Sequence, residues 1–276
     1  MILVTGATGN VGGELVMQLA AANYEVRALV RSREGLTLSS NAQVVVGDLN
    51  RPESLAPALE GVRSVFLLGG YRDMPGVLAE IRKAEVEHVV LLSSRSSVGG
   101  DPSNAIVAMW LKSEQAVRSS GVAWTFVRPS GFASNALRWR QQLKAGAVVR
   151  AAFANARIAS IDPHDIAAVA AVALTTKGHA SKSYALSGPQ AQLPAQQLAI
   201  LAKVLGRDLR FEAQPDDEAR VELSQSTPAD FVDAFFRFFV KGEFDDAIIL
   251  PTVKEITGQP PRSFEQWARA HVQDFQ

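Results

Sequence analysis

Near the start of the chain, Thr5-Gly6-Ala7-Thr8-Gly9-Asn10-Val11-Gly12 sets three glycines three residues apart. Glycine permits a tight turn and lets a ligand approach the backbone closely. The run follows an apolar stretch, Ile2 to Thr5, and opens a helical pattern of Val11, Leu15 and Leu19. A strand-to-helix loop of this kind offers free N–H groups and the positive end of a helix dipole, a cradle for a pyrophosphate. A glycine triplet alone also serves plain turns, so its context carries the inference. After the next apolar run comes Val30-Arg31-Ser32-Arg33. An acidic residue there would hold the ribose 2′-hydroxyl of NAD, whereas Arg31 suits a 2′-phosphate, with Ser32 or Arg33 in support. The loop predicts dinucleotide binding, and Arg31 favours NADP(H) over NAD(H).

Other reactive types are placed less tellingly. His164 falls in the Asp162-Pro163-His164-Asp165 turn and reads as a surface histidine of a helix cap. His88 and His179 have no partners at metal-ligand spacing, so no metal site is expected. Asp216-Asp217-Glu218 and Asp245-Asp246 read as solvated turns or helix starts. Neither a Gly-x-Ser-x-Gly elbow nor a Gly-Lys-Ser/Thr phosphate loop occurs.

The elements that must hold the glycine loop follow from periodicity. Apolar runs at 2–5, 25–30, 43–47, 64–68, 88–93 and 123–127 do not alternate with polar residues. Such runs are strands buried on both faces, hence a parallel sheet. Helical spacing intervenes at 11–19, at 52–60 with Pro52 leading and Gly61 following, and at 105–119 before Gly121. This alternation predicts right-handed βαβ units in a doubly wound α/β fold. Past residue 130 the rhythm changes. A short strand then precedes a helix capped by Asp162, and 181–188 is a further strand. Helices are expected at 194–204, 228–241 and 263–272. In 228–241, helical spacing puts Phe231, Phe235, Phe238 and Phe239 in the core and leaves Phe236 to face a lid, a pocket or a partner chain.

Composition narrows the function classes. The 276 residues hold 28 basic and 28 acidic side chains, which argues against a nucleic-acid partner. Apolar types make up 47%, enough for a real core. With no Cys, disulfides and thiolate or thiolate-metal chemistry are excluded. Ile2-Leu3-Val4 begins directly after Met1 and reads against a signal peptide. The longest apolar run, Ile166 to Leu174, is far short of the roughly 20 residues that span a bilayer. A cytoplasmic protein without a membrane partner is expected, as monomer or homodimer.

Taken together, TGATGNVGG, LVRSRE, VVVGDLNRPESLAPALEGV, VVLLSS, SGVAWTFVRPSGFASN and IDPHDIAAVAAVAL resemble the NmrA-like atypical short-chain dehydrogenases/reductases. The likeness continues into TPADFVDAFFRFFVKGEFDD and EITGQPPRSFEQWA, and so covers nearly the whole chain. It implies an extended Rossmann domain, taken as 1–150, and a smaller, mostly helical substrate domain, taken as 151–276, with a strand or two returning to the sheet. It implies NADP(H) in most members, and functions divided between reductases and cofactor-sensing regulators. By the same resemblance, Gly6, Thr8, Gly9, Asn10 and Val11 surround the pyrophosphate and Arg31 meets the 2′-phosphate. Asp48 and Leu49 contact adenine, and Leu68, Gly69 and Gly70 line the ribose and diphosphate. Ser93 and Ser94 lie near the nicotinamide, as do Pro129, Ser130, Gly131 and Phe132, the last three facing substrate as well.

One expected group is missing. Tyr-dependent members of the superfamily use a Tyr and a Lys four residues later as proton donor and its activator. Here those slots fall near Ile106 and Trp110, and between Arg72 and Ala123 there is no Tyr. Lys112 is a weak stand-in, two residues along and on another helix face. Trp110 is expected to wall a pocket, with Phe132, Trp139 and Phe153 from neighbouring segments. An aromatic-lined pocket suits a planar, quinone-like substrate, and hydride transfer to such an acceptor needs mainly positioning. The expectation is an NADPH-dependent reductase without a Tyr acid. The alternative is a dinucleotide sensor that acts through a protein partner.

Overall fold

Six apolar segments follow one another into a parallel sheet: β1 (Ile2–Val4), β2 (Val26–Val30), β3 (Ala42–Val46), β4 (Ser64–Leu68), β5 (His88–Leu92) and β6 (Ala123–Pro129). The chain then forms β7 (Val148–Ala151) away from this sheet and returns with β8 (Lys182–Leu186) against β6. A last strand, β9 (Arg210–Ala213), pairs in parallel with β7. The main sheet runs β3-β2-β1-β4-β5-β6-β8. Every pairing in it is parallel, with Val4 opposite both Ala28 and Phe66. This computed structural model describes residues 1–34 and 42–276.

Both sheet faces are covered, which is why its strands carry unbroken apolar runs. On one face lies α1 (Asn10–Ala21). The other carries α2 (Ala56–Leu59), extending the 3₁₀ turn Pro52–Leu55, with α3 (Met74–Lys83) and α4 (Ala105–Ser119). After β6 come α5 (Arg140–Ala145) and α6 (Pro163–Thr175), and α6 packs beside α1 over Val4, Phe66 and Val127. The C-terminal part adds α7 (Pro194–Leu205), α8 (Asp216–Ser224), α9 (Ala229–Phe239), α10 (Thr252–Thr257) and α11 (Phe264–Ala270). A separate core of Trp139, Leu143, Val149, Leu198, Leu201 and Trp267 holds α5, α7 and α11 together.

Local chemistry fixes the helix starts. Asp162 accepts the His164 N–H at 2.9 Å, so α6 begins where its Asp-Pro pair stands. Asn104 caps α4 and Asp73 caps α3 in the same way. Helix α3 was not among the expected elements, and neither were β7 and β9. The strand expected before Asp162 reduces to two isolated bridges, Phe132–Ile161 and Ile158–Gln192.

Two packing expectations are corrected. In α9, Phe236 is buried against Ala219 and Val232 beneath the Arg220 guanidinium, while Phe231, Phe235 and Phe239 are half-buried. Neighbours on two sides of α9 bury a broader arc than one stripe. Asp246 is 8% exposed rather than solvated, because it meets a buried cation. Among the described residues no helix is long and apolar enough to cross a membrane.

Candidate dinucleotide site

The glycine loop turns between β1 and α1, and its geometry explains each glycine. Gly6 sits at φ +63°, and a Cβ there would come within 2.5 Å of Leu68 Cδ1. A Cβ on Gly12 would collide with the Gly6 carbonyl, so α1 reaches its closest approach only without a side chain. The Gly9 N–H closes the turn by donating to the Gly6 carbonyl at 2.9 Å. Gly9 is the N-cap of α1 and supplies no side-chain oxygen, and the first turn holds no acidic residue. The leading N–H groups of α1 therefore have no side-chain cap among the described residues, and a pyrophosphate fits this need. Thr8, Gly9 and Asn10 are exposed at this end. Asn10 Nδ2 donates to Ser134 Oγ at 3.0 Å, tying the loop to the segment after β6.

A cleft of about 370 Å³ runs across the C-terminal ends of the strands, where the order reverses between β1 and β4. Open doubly wound sheets bind ligands at this switch point. The cleft brings together Gly6, Thr8, Gly9, Asn10, Val11, Arg31, Asp48, Leu49, Leu68 and Phe132 from the expected set. Arg31 projects from the end of β2, exposed, across from Asp48 and Leu49 beyond β3. Arg33 is committed elsewhere, donating to the Val44 carbonyl at 2.8 Å. Ser32 Oγ accepts the Glu34 N–H. The Asp48 carboxylate holds the Asn50 N–H at 2.9 Å, which fixes the loop after β3.

Tyr71 also lines this cleft, together with Leu29, Val30, Gly47 and Leu92. None of these was singled out from sequence. Tyr71 offers one sequence signal, an aromatic placed three residues beyond the strand end at Leu68.

Around the far end, most candidate residues stand behind the cleft rather than in its wall. Trp110 packs against the Gly69 backbone, where a Cβ would approach its ring to 2.9 Å. The Gly70 N–H donates to Ser113 Oγ at 3.0 Å, which pins the loop after β4 to α4. Ser93 is buried and donates to Glu114 Oε1 at 2.6 Å. That carboxylate is held in turn by the Arg128 guanidinium, with Nε at 2.8 Å. Ser94 caps the 3₁₀ turn Arg95–Ser97. Buried Pro129 ends β6, and Ser130 Oγ donates to the Ala159 carbonyl at 2.5 Å. The Gly131 N–H donates to Asp246 Oδ2 at 2.9 Å. Burial pushes the Asp246 carboxyl above the ordinary carboxylate range, against the pull of that N–H and of Arg95.

Two expected pocket residues lie elsewhere. Trp139 is 5% exposed inside the C-terminal core, because its 3₁₀ turn faces α5 and α11 rather than the sheet edge. Phe153 packs edge-on to Phe236 at 5.1 Å and beside Phe239, in the α8–α9 cluster. Lys112 is exposed on α4. His164 is half-buried and holds Glu14 Oε2 at 3.0 Å, so it fastens α6 to α1 rather than standing free.

Comparison with known proteins agrees with this geometry. The family model described as NAD(P)H-binding matches residues 6–177. A (4-alkanoyl-5-oxo-2,5-dihydrofuran-3-yl)methyl phosphate reductase of Streptomyces griseus is 42% identical, over 100% of this chain and 99% of its own. The NAD(P)H azoreductase of Xenophilus azovorans is 33% identical, over 100% and 99%. Among solved structures, an NADPH-dependent quinone oxidoreductase of Escherichia coli in complex with NADPH superposes with a TM-score of 0.80 at 23% identity, covering 99% of this chain and 100% of that one. That last likeness speaks to the fold alone. With the glycine cradle, the switch-point cleft and these full-length relatives in agreement, the chain belongs to the NAD(P)H-binding family, among its NmrA-like atypical reductases.

Proposed function

We propose that this protein is an NADPH-dependent reductase of planar, conjugated acceptors and works without a side-chain proton donor of the Tyr type. The observation that carries the reading is the course of the cleft. It begins at Arg31 and Asp48, crosses the uncapped start of α1, and ends at Leu92 and Phe132 where β5 and β6 finish. Arg31 is the one cation along that cleft among the described residues and would meet the 2′-phosphate, which favours NADPH over NADH. The N–H groups of α1 would take the pyrophosphate. Bound NADPH supplies the hydride. Leu92 and Phe132 present apolar surface at the reacting end, which keeps water off and favours a flat, apolar ring system.

The relatives support this acceptor class. The Streptomyces enzyme is named for a furanone whose ring double bond is conjugated with carbonyls, and the Xenophilus enzyme is named an azoreductase. In such acceptors the electron pair of the hydride spreads into the conjugated system, so water can protonate the product and positioning matters most. Helix α4, where Tyr-dependent relatives keep their acid, contains no Tyr. Residues 1–150 would form the dinucleotide-binding part, and 151–276 would close over the acceptor.

The test is NADPH oxidation against a panel of quinones, azo dyes and unsaturated lactones, followed at 340 nm by the nicotinamide absorbance. Turnover well above the buffer rate is the expected result. Tight NADPH binding with no turnover on any acceptor overturns the reductase reading in favour of a sensor.

A further inference from the structure

Between α9 and α10, residues 240–251 carry neither helix nor strand, yet they are tied down at the C-terminal ends of three adjacent strands. Beyond β5, Arg95 Nε donates to Asp246 Oδ1 at 2.9 Å, and its guanidinium also bonds the Asp245 carbonyl. Beyond β6, the Gly131 N–H donates to Asp246 Oδ2 at 2.9 Å. Beyond β8, Ser187 Oγ accepts the Leu250 N–H at 2.8 Å. The Asp246 backbone is engaged too, since its carbonyl accepts the Ala159 N–H at 2.7 Å. The Phe244 ring lies 4.6 Å from the Arg95 guanidinium carbon and closes its other face.

Asp246 therefore grips the β5 loop with one carboxylate oxygen and the β6 loop with the other. Leu92 and Phe132, the last cleft residues on β5 and after β6, stand three positions before Arg95 and one after Gly131. Arg95 and Asp246 are 6% and 8% exposed. A buried ion pair is no better for stability than well-packed apolar residues, because desolvation offsets its Coulomb attraction. What it adds is a fixed distance and direction between two loops. Space around Gly131 is already taken, since a Cβ there would meet Ile158 Cγ2 at 3.0 Å and Asp246 Oδ2 at 3.5 Å.

We propose that Asp246 and Arg95 are positioning residues, a brace from the 240–251 strap that sets the gap between the β5 and β6 loops and so the seat of the nicotinamide and the acceptor. The proposal rests on reading the Leu92–Phe132 end of the cleft as the nicotinamide end. The adenosine end, at Arg31 and Asp48, lies outside its reach.

The test compares wild type with Arg95→Met/Asp246→Leu, an apolar pair chosen to keep the fold, and with Arg95→Lys as the conservative partner. Affinity is measured for NADPH and for 2′,5′-ADP, which carries adenosine with its 2′- and 5′-phosphates and lacks the nicotinamide half. The double variant is expected to hold 2′,5′-ADP as wild type does, to bind NADPH several-fold more weakly, and to lose about tenfold or more in kcat. Its kinetic isotope effect with 4-deuterated NADPH should rise, and Arg95→Lys should recover part of each loss. Unchanged NADPH affinity and kcat in the folded double variant overturn the brace. So does a parallel fall in 2′,5′-ADP affinity, which would mark the pair as a general support of the fold. If wild type reduces no acceptor the reductase reading fails, and the ratio of the two affinities still decides the brace.

Discussion

The Gly6 carbonyl lies directly against the Cα of Gly12, with no room for a methyl group between the loop and the first turn of α1. Both backbones must hold that approach for the helix to point its free N–H groups into the cleft. Gly12→Ala is therefore expected to force the loop open. It should lower stability by about 1–3 kcal/mol and abolish measurable NADPH binding. Thermal unfolding and fluorescence titration check both effects, and retained affinity would show that the cradle tolerates a wider turn.

Arg31 sits exposed just beyond the end of β2, and its side chain has no hydrogen-bond or ion-pair partner among the described residues. Arg31→Ala should leave the melting temperature within error. Loss of a charge-assisted contact to the 2′-phosphate should cost about 1.5–3 kcal/mol of NADPH affinity, or roughly 10–100-fold, with NADH little changed. Calorimetric titration of both dinucleotides is the measurement. An equal drop for both would move the 2′-phosphate site away from β2.

Glu114 ties three segments, taking the Ser93 hydroxyl just beyond β5 and both Arg128 donors from β6 onto α4. It is 3% exposed, and Arg128 has no other acidic partner among the described residues. Glu114→Ala leaves the largely covered Arg128 cation without its carboxylate and the Ser93 hydroxyl with Ser97 alone. A loss of about 3–5 kcal/mol in denaturant unfolding is expected. A loss below about 1 kcal/mol, the value of an exposed pair, would mean that water replaces the carboxylate.

Burial pushes the Asp165 carboxyl up to about 6 from its ordinary 3.8, with Asp162 adding repulsion and Arg262 and His164 opposing it. A carboxyl with a raised folded-state pKa binds its proton more tightly folded than unfolded. Its contribution is complete below pH 3.8 and is lost as pH rises through about 6. Asp165→Asn keeps an acceptor for the Arg262 N–H and removes the charge. The variant should gain about 1–3 kcal/mol relative to wild type at pH 8, and the gain should shrink as pH falls below about 6 and vanish below 3.8. His164 is raised first by its bond to Glu14 and also by the Asp165 charge, so removing that charge lowers the His164 pKa in the variant as well. A pH-independent difference would contradict the assignment.

Local chemistry made much of this legible in the sequence. The strands of the main sheet announce themselves because burial on both faces demands unbroken apolar runs, and Asp162-Pro163 marks the start of α6 because a cap is a matter of adjacent residues. The cradle glycines are readable for the same reason. Asp246 reads as solvated in the sequence because its partners, Gly131 and Arg95, are 115 and 151 residues away, a distance at which no local pattern can tell a paired carboxylate from a solvated one. Proximity to β6 suggests a pocket for Trp139, but its direction is set by the turn it occupies and by partners as distant as Trp267. In α9, a single-stripe template cannot describe a helix packed against both α4 and α8. Helix α3 escaped notice because its core residues, Met74, Val77, Leu78 and Ile81, are interrupted by Pro75 and Gly76.

The pairing of α1 with α6 has a consequence for biosynthesis. Glu14 and His164 meet across 150 residues of chain, and between them Val11, Leu15, Val16 and Leu19 share a core with Ile166, Val169 and Ala170. The ribosome releases α1 long before its companion exists. At about 5–20 residues per second, that apolar face waits roughly 8–30 s for cover. The nascent chain thus carries a half-built layer through most of its synthesis, a period in which a holdase chaperone would find it and a truncated product would aggregate.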